Sequence, residues 1–161
     1  MVLNPLLSYV LIMYVLLKGT IPNFLISLMD YVEVKSNIIK KYPKGSFIWG
    51  IRAPNTLVSR GNKVFLYINK SDDFPGGIVL EGEVIDVAEL KEKYWPEEVW
   101  NYYVALKVLK VPESVLREKD VKKWRVVDRN KLKELGIKVL PGPQKISDEI
   151  GAEIEKLLSE I

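Results

Sequence analysis

The sequence predicts an α+β domain: a small, mostly antiparallel barrel of five to six short strands flanked by helices. Three observations carry that expectation. The stretches 46–51, 63–69, 78–87 and 102–111 are short, rich in Val, Ile, Phe and Tyr, and separated by turns of Gly, Pro, Asn or Asp. Ser147–Ile161 sets Ile150, Ile154, Leu157, Leu158 and Ile161 in one helical stripe behind a Ser147-Asp148-Glu149-Ile150 capping box. Finally, 161 residues with 48% hydrophobic and 28% charged side chains suit one folded core, without linkers, repeats or low-complexity tracts.

Taken in order, the chain begins with an apolar run, Pro5–Leu17, and Lys18 is the only charge between Met1 and Leu28. The run is shorter than the ~20 residues of a spanning helix. It also lacks the basic start and small-residue cleavage site of a signal peptide. It predicts a buried helix with Pro5 in its first turn and Gly19 just past its end. A strand through Tyr9, Val10, Ile12, Tyr14 and Val15 is the alternative. A membrane anchor, or a true start at Met13 or Met29, are further ones. The expected organisation is an apolar helix or extension over 1–20 and one domain over 21–161, in a cytoplasmic protein.

Phe24–Leu28 predicts a buried strand after the Pro22-Asn23 turn, and Tyr31–Tyr42 a helix carrying Val34, Ile38 and Ile39, stopped by Pro43. The strand ending at Trp49 follows, then Lys63–Asn69 and Ile78–Val87. Ala88–Val99 holds Leu90, Tyr94 and Trp95 ahead of Trp100. Tyr102–Val111 alternates, with Tyr103, Ala105, Lys107, Leu109 and Val111 on one face. Val115–Val121 reads as short helix or irregular chain and Trp124–Val127 as a short strand. Asp128–Leu135 reads as a helix capped by Asp128 and stopped by Gly136, and Pro141–Ile146 as a loop.

Composition narrows function. There is no Cys and no His, which excludes disulfides, thiol nucleophiles, imidazole catalysis and cysteine or histidine metal sites. Carboxylates remain as magnesium ligands. Glu81 and Glu83, at i and i+2 on one strand with Asp86 nearby, are the candidate set, but no companion ligand motif supports them. The expectation is therefore a protein that is not an enzyme and takes no cofactor. Net charge is +3, yet Lys107–Lys138 alone carries an excess of six positive charges. Such a strip suits phosphate binding; a Lys-rich solvated surface of the thermophile kind is the alternative. Trp124 beside Lys122, Lys123 and Arg125 is either a basic-aromatic patch or a core anchor.

The stretch Ser46–Asn55 draws these pieces together. Trp49 ends an apolar run and is followed by Gly50, Ile51, Arg52 and an Ala53-Pro54-Asn55 turn. An aromatic beside a flexible turn suits a flat ligand such as a base; a core Trp at a strand end is the alternative.

The order of motifs resembles the EVE domains, members of the PUA-like group that includes the YTH readers of methylated adenine. The matching residues are Phe47–Ile51, Gly61–Ile68, Gly77–Val84, Tyr102–Leu109, and the Gly142–Ile146 loop with its final helix. The likeness spans about residues 22–161. It implies a PUA-like pseudo-barrel with a cleft that receives one flipped, modified base, methylation being the expected mark, in an aromatic cage. Trp49 matches one wall. Val108 stands where YTH proteins place a second Trp, so Trp95, Trp100 and Tyr102 are candidate replacements and Phe74 a candidate lid. The backbone of Gly50 and Ile51, with Asn55 and Asn69, are candidates for reading the base edge. Arg52, Arg60, Lys70, Lys138 and Lys145 are candidate phosphate contacts. The implied partner is nucleic acid, methylated DNA favoured over RNA. In archaea EVE-like domains head McrB-type motors, so a fused or associated AAA+ motor and nuclease of a modification-dependent restriction system is the implied setting. A stand-alone RNA-binding EVE protein and a protein- or membrane-docking module are the alternatives.

Overall fold

The computed structural model describes residues 12–161. Seven strands form one sheet: β1 (Tyr14–Gly19), β2 (Ser46–Ile51), β3 (Lys63–Ile68), β4 (Gly77–Glu89), β5 (Tyr102–Lys110), β6 (Val127–Asp128) and β7 (Gln144–Ile146). Their order is β2-β5-β4-β3-β1-β7, with β6 beside the start of β4. Every pairing is antiparallel except β1 with β3. Four helices accompany the sheet: α1 (Ile21–Glu33), α2 (Glu113–Arg117), α3 (Arg129–Glu134) and α4 (Asp148–Ser159).

The sheet is buried on both faces. Val15, Leu17, Phe47, Trp49, Val64, Leu66, Val104 and Leu106 belong to the main core, closed by Phe24 and Leu28 of α1. The alternate residues Leu16, Phe65 and Tyr67 meet Leu132 of α3 and Ile154 and Leu158 of α4 on the other side. Ile48, Tyr103 and Ala105 meet Ile38, Ile39 and Trp95 in a third cluster. A strand covered on both faces is apolar at every position rather than at every second one. That explains the first correction. The described part of the predicted N-terminal helix, Tyr14–Leu17, is strand β1, because a short continuous apolar run carries no period that separates helix from buried strand. Pro5–Leu11 lies outside the described residues.

The second correction is α1. Phe24–Leu28 is helical, with Thr20 at the cap and Pro22 in the first turn, where its fixed φ suits a helix start. The predicted Tyr31–Tyr42 helix ends early, since the Asp30 carboxylate accepts bonds from Lys35 N (3.1 Å), Ser36 N (2.9 Å) and Ser36 Oγ (2.6 Å). These bonds hold the chain in a turn, with Val34 left-handed at φ 53°. Only Ile39–Lys41 is helical beyond it, as a single 3-10 turn. Against the five to six strands expected, the described residues form seven: Phe24–Leu28 is lost to α1, while Tyr14–Gly19 and Gln144–Ile146 are gained.

Asp128 caps α3 through Lys131 N at 2.9 Å, as expected. Ser147 caps α4 through Ile150 N at 3.3 Å, but Ile150 cannot return the bond, so the capping box is half made. β4 bends at two register shifts, Glu81/Gly82 and Val84/Asp86. Such bulges curl a sheet, and the curl brings the edge strand β2 round to β1. There the Trp49 indole Nε1 donates to the Lys18 carbonyl at 3.3 Å. The gap between β1 and β2 is thus bridged by a side chain. No helix among the described residues is long and apolar enough to cross a membrane.

Candidate functional site

Trp49 points into the barrel and is 4% exposed. The Cζ2 edge of its ring abuts Gly19, where a Cβ would fall 2.0 Å from Cζ2, so only glycine admits the indole at this point of β1. Phe47 stacks on it at 6.2 Å and Trp95 meets it edge-on at 6.3 Å. Trp95 in turn meets Trp100 edge-on at 6.5 Å. The missing side chain of Gly50 makes room for both: a Cβ there would lie 3.0 Å from Trp95 and 3.1 Å from Trp100. Gly19 and Gly50 therefore shape a run of three indoles, with Trp49 and Trp95 buried and Trp100 half-exposed.

Trp100 is held from two sides. Its Nε1 donates to Glu97 Oε2 at 3.2 Å, and the same oxygen accepts from Asn23 Nδ2 of α1 at 3.0 Å. Glu97's own backbone N–H, then Asn23 and Trp100, hold its carboxyl below the usual range. The Arg52 guanidinium lies 5.8 Å from the Trp100 ring centroid, within cation–π reach. The Oδ1 of Asn23, 4% exposed, meets no donor among the described residues. A buried carbonyl left unpaired costs about 1–3 kcal/mol. A hollow of about 210 Å³ opens beside these groups, lined by Tyr94, Trp95, Glu97 and Trp100 among others. It is smaller than the ~300–1,000 Å³ of drug-sized ligand pockets and suits one flat group.

A larger cleft of about 950 Å³ lies between the β3–β4 loop, α3 and the loop after α3. Tyr67, Pro75, Ile137 and Val139 give it apolar surface, Asn69 and Asn130 supply amides, and Lys70, Arg129, Lys133 and Lys138 supply charge. Its one carboxylate, Asp128, is engaged in capping α3. None of the four cations has a carboxylate within 4.0 Å among the described residues. The cleft adjoins the indole run through β1: Asn69 N donates to the Gly19 carbonyl at 2.8 Å, on the residue against which Trp49 lies. Next to Gly19, Lys18 reaches the chain before β7, its Nζ donating to the Gly142 carbonyl. Burial pulls that ammonium down to about 8.

The sequence-predicted residues therefore divide. Trp49, Gly50, Trp95, Trp100 and Arg52 come together, and Ile51 and Tyr102 pair next to them across β2 and β5. Asn69, Lys70 and Lys138 meet in the cleft. Asn55 is exposed and engaged locally, its Oδ1 accepting from Leu57 N at 2.8 Å. Arg60 and Lys145 are exposed and line neither hollow. Phe74 is not placed as a lid: it is 2% exposed and packs edge-on against Trp124 at 6.0 Å, inside the core. Trp124 is the core anchor of the two alternatives, buried with Nε1 on the Glu118 carbonyl at 2.8 Å. Glu81 is wholly buried, and no cluster of three or more potential metal ligands exists among the described residues, so Glu81 and Glu83 lack a third ligand.

Sequence reasoning missed Asn23, Gly19, Arg129 and Lys133. Asn23 was read as a turn residue before a strand. Gly19 carried no signal once β1 was taken for a helix. Arg129 and Lys133 stood only as part of the basic strip, whose i, i+4 spacing in the Asp128–Leu135 helix was the available clue.

No protein-family model matches this sequence, and no curated protein sequence matches it. Solved structures do. The N-terminal domain of Thermococcus gammatolerans McrB bound to m5C DNA aligns over 92% of this chain and 98% of its own, with TM-score 0.57 and 12% identity. A hypothetical protein from Leishmania major aligns over 92% of this chain and 96% of its own, with TM-score 0.55 and 17% identity. A protein from Pseudomonas syringae aligns over 89% and 98%, with TM-score 0.53 and 15% identity. At these identities the likeness is one of fold, and it bears out the α+β, mostly antiparallel architecture expected from the sequence.

Proposed function

We propose that this protein is a nucleic-acid-binding module that reads a flipped, methylated base against its indole run. The observation that carries the proposal is the half-exposed Trp100, with Arg52 over its ring and its Nε1 held by Glu97. An aromatic face with a cation beside it suits an extruded base. Stacking on the indole contributes about 1–3 kcal/mol. Trp100 is the stacking face; Trp49, closed against Gly19, holds the strand end behind it. The McrB domain of the same fold was solved bound to m5C DNA, which supports DNA as the polymer and a methylated base as the mark. In that setting the module is the address-reading part of a modification-dependent restriction system, with cleavage supplied by an associated motor and nuclease.

The test is a binding titration with matched single strands, unmodified, 5-methylcytosine and N6-methyladenine, against wild type and Trp100→Ala. One methylated strand should bind more tightly, and the variant should lose about 5- to 150-fold on that strand, the equivalent of one stacking contact. Equal binding of all strands by wild type, with no change in Trp100→Ala, refutes the proposal.

A further inference from the structure

We propose that the basic cleft between the β3–β4 loop, α3 and the loop after α3 is a second, separate site, one that binds a nucleoside phosphate. The indole run does not explain it. The cleft's volume of about 950 Å³ is of ligand-pocket size, whereas the hollow at Trp100 is about 210 Å³. Its chemistry is also divided in the way a nucleotide is divided. Arg129 and Lys133, four residues apart on α3, line it together with Lys70 of the β3–β4 loop and Lys138 of the loop after α3, and none of them has a carboxylate within 4.0 Å among the described residues. Converging, unneutralised cations hold a phosphate, and a guanidinium does so with two parallel bonds. Between them Tyr67 and Ile137 offer an apolar floor for a sugar or base. Asn130 can both donate to and accept from a base edge or ribose.

The floor is held by the core. Tyr67 is 4% exposed and belongs to one buried cluster with Leu132 and Ile137. Arg129 N is fixed on the Gly76 carbonyl at 3.0 Å, so the start of α3 is pinned to the β3–β4 loop.

The phosphate could belong to a free nucleotide or to a strand that also visits Trp100, whose neighbour Trp49 meets the cleft's Asn69 through Gly19. The experiment separates the two. Adenosine 5′-monophosphate, and an unmodified twelve-nucleotide single strand, are titrated into wild type and Arg129→Gln/Lys133→Gln at 50 and 200 mM salt. Lys138→Gln, on the opposite wall, serves as a second variant, and melting curves establish that each is folded. Each lost phosphate contact lowers the salt slope of strand binding by about 0.7, so the double variant should lose about 1.4. Raising the salt fourfold should then cost wild type about seven times more affinity than the double variant. Strand binding with this change and no mononucleotide binding assigns the cleft to the backbone of a polymer. Mononucleotide binding that the variants abolish assigns it to a free nucleotide. Identical affinities and slopes in all three proteins, or no binding of either probe to wild type, overturns the proposal. The base-reading proposal fails separately: it stands on the ratio of methylated to unmethylated affinity, which the cleft variants leave unchanged and Trp100→Ala does not.

Discussion

Glu81→Gln should stabilise this protein at pH 8 and remove most of its pH dependence between pH 5 and 8. Glu81 sits on β4 with no exposed surface, and neither of its carboxyl oxygens meets a donor when the group is ionised. It faces Glu155 of α4, which already accepts from Tyr14 Oη of β1 at 2.5 Å and from Lys63 Nζ of β3 at 3.1 Å. Burial, then the hydrogen bond and charge of Glu155, push the Glu81 carboxyl up to about 8, against the pull of Lys63 and Lys110. Burial also disfavours the charge on Glu155, but bonds from Glu81, Tyr14 and Lys63 outweigh it and hold that carboxyl below the usual range. The pair thus keeps one proton, carried by Glu81.

The sign follows from linkage. Below the ordinary carboxylate range Glu81 is protonated in both states. As pH rises, the unfolded chain releases the proton first, so folding stability falls until the folded group ionises near 8. At about 1.4 kcal/mol per unit, the upper bound is on the order of 5 kcal/mol. The chain contains no histidine, so the interval from pH 5 to 8 is free of imidazole titration. Urea unfolding at half-unit steps measures the slope. Gln is neutral at every pH and keeps a donor for Glu155, so the variant's curve should be flat where that of wild type descends. Parallel curves, or a Glu81→Gln protein less stable than wild type at pH 8, would refute a shared proton.

Three further outcomes follow from close approaches and buried charge. Gly19→Ala places a methyl 2.0 Å from Trp49 Cζ2, so the ring must shift; overpacking of this kind costs about 1–3 kcal/mol. Denaturant midpoints and a changed tryptophan emission spectrum should report it, and unchanged values would place the indole elsewhere. Gly151→Ala, normally worth about 1 kcal/mol of added helix propensity, should instead destabilise, since its methyl would fall 2.3 Å from the Tyr14 ring. A rise in melting temperature would contradict that packing. Asp30→Ala strips the acceptor from Lys35 N, Ser36 N, Ser36 Oγ and Tyr94 Oη. It should cost several kcal/mol, about 1–3 for each donor left buried. Burial disfavours the Asp30 charge, but these bonds outweigh it and hold the carboxyl below the usual range. Its stabilisation is therefore present above that range and lost on acidification, a loss that Asp30→Ala should not show.

The strands that flank turns were legible in the sequence, and the first strand was not, for a physical reason. β2, β3, β4 and β5 are bounded by Gly, Pro and Asn signals and lie where expected. β1 has no such boundary at its start, and burial on both faces erases the alternation that would have marked it. Phe24–Leu28 failed in the opposite direction: its five residues are too few to show a helical period, while the buried polar groups Asn23, Ser27 and Asp30 continue the turn-by-turn pattern around it. The site shared this split. Trp49 and Arg52 stood together at the end of β2, and Trp95 and Trp100 entered as replacements for the second Trp that the family resemblance implies. Asn23 and Gly19 reach the same place through β1 and α1, and so could not be seen without the strand that carries them.

That dependence bears on how a methyl group is distinguished. Burying one methyl is worth only about 0.8 kcal/mol, roughly fourfold in affinity, so an open aromatic surface cannot read the mark. Discrimination needs rigid walls and excluded water. The indole run is rigid because each ring rests on a missing side chain: Trp49 on Gly19, Trp95 and Trp100 over Gly50. The strand ends carrying those glycines are fixed in turn by Trp49 Nε1 on Lys18 and Asn69 N on Gly19. Backbone contacts position a nucleic acid and base contacts specify it. Under the proposed reading the charges of the cleft are the first kind of group and the indoles at the hollow the second. A substitution at Gly19 should therefore lower selectivity between bases before it lowers affinity, whereas substitutions at Arg129 and Lys133 should do the reverse.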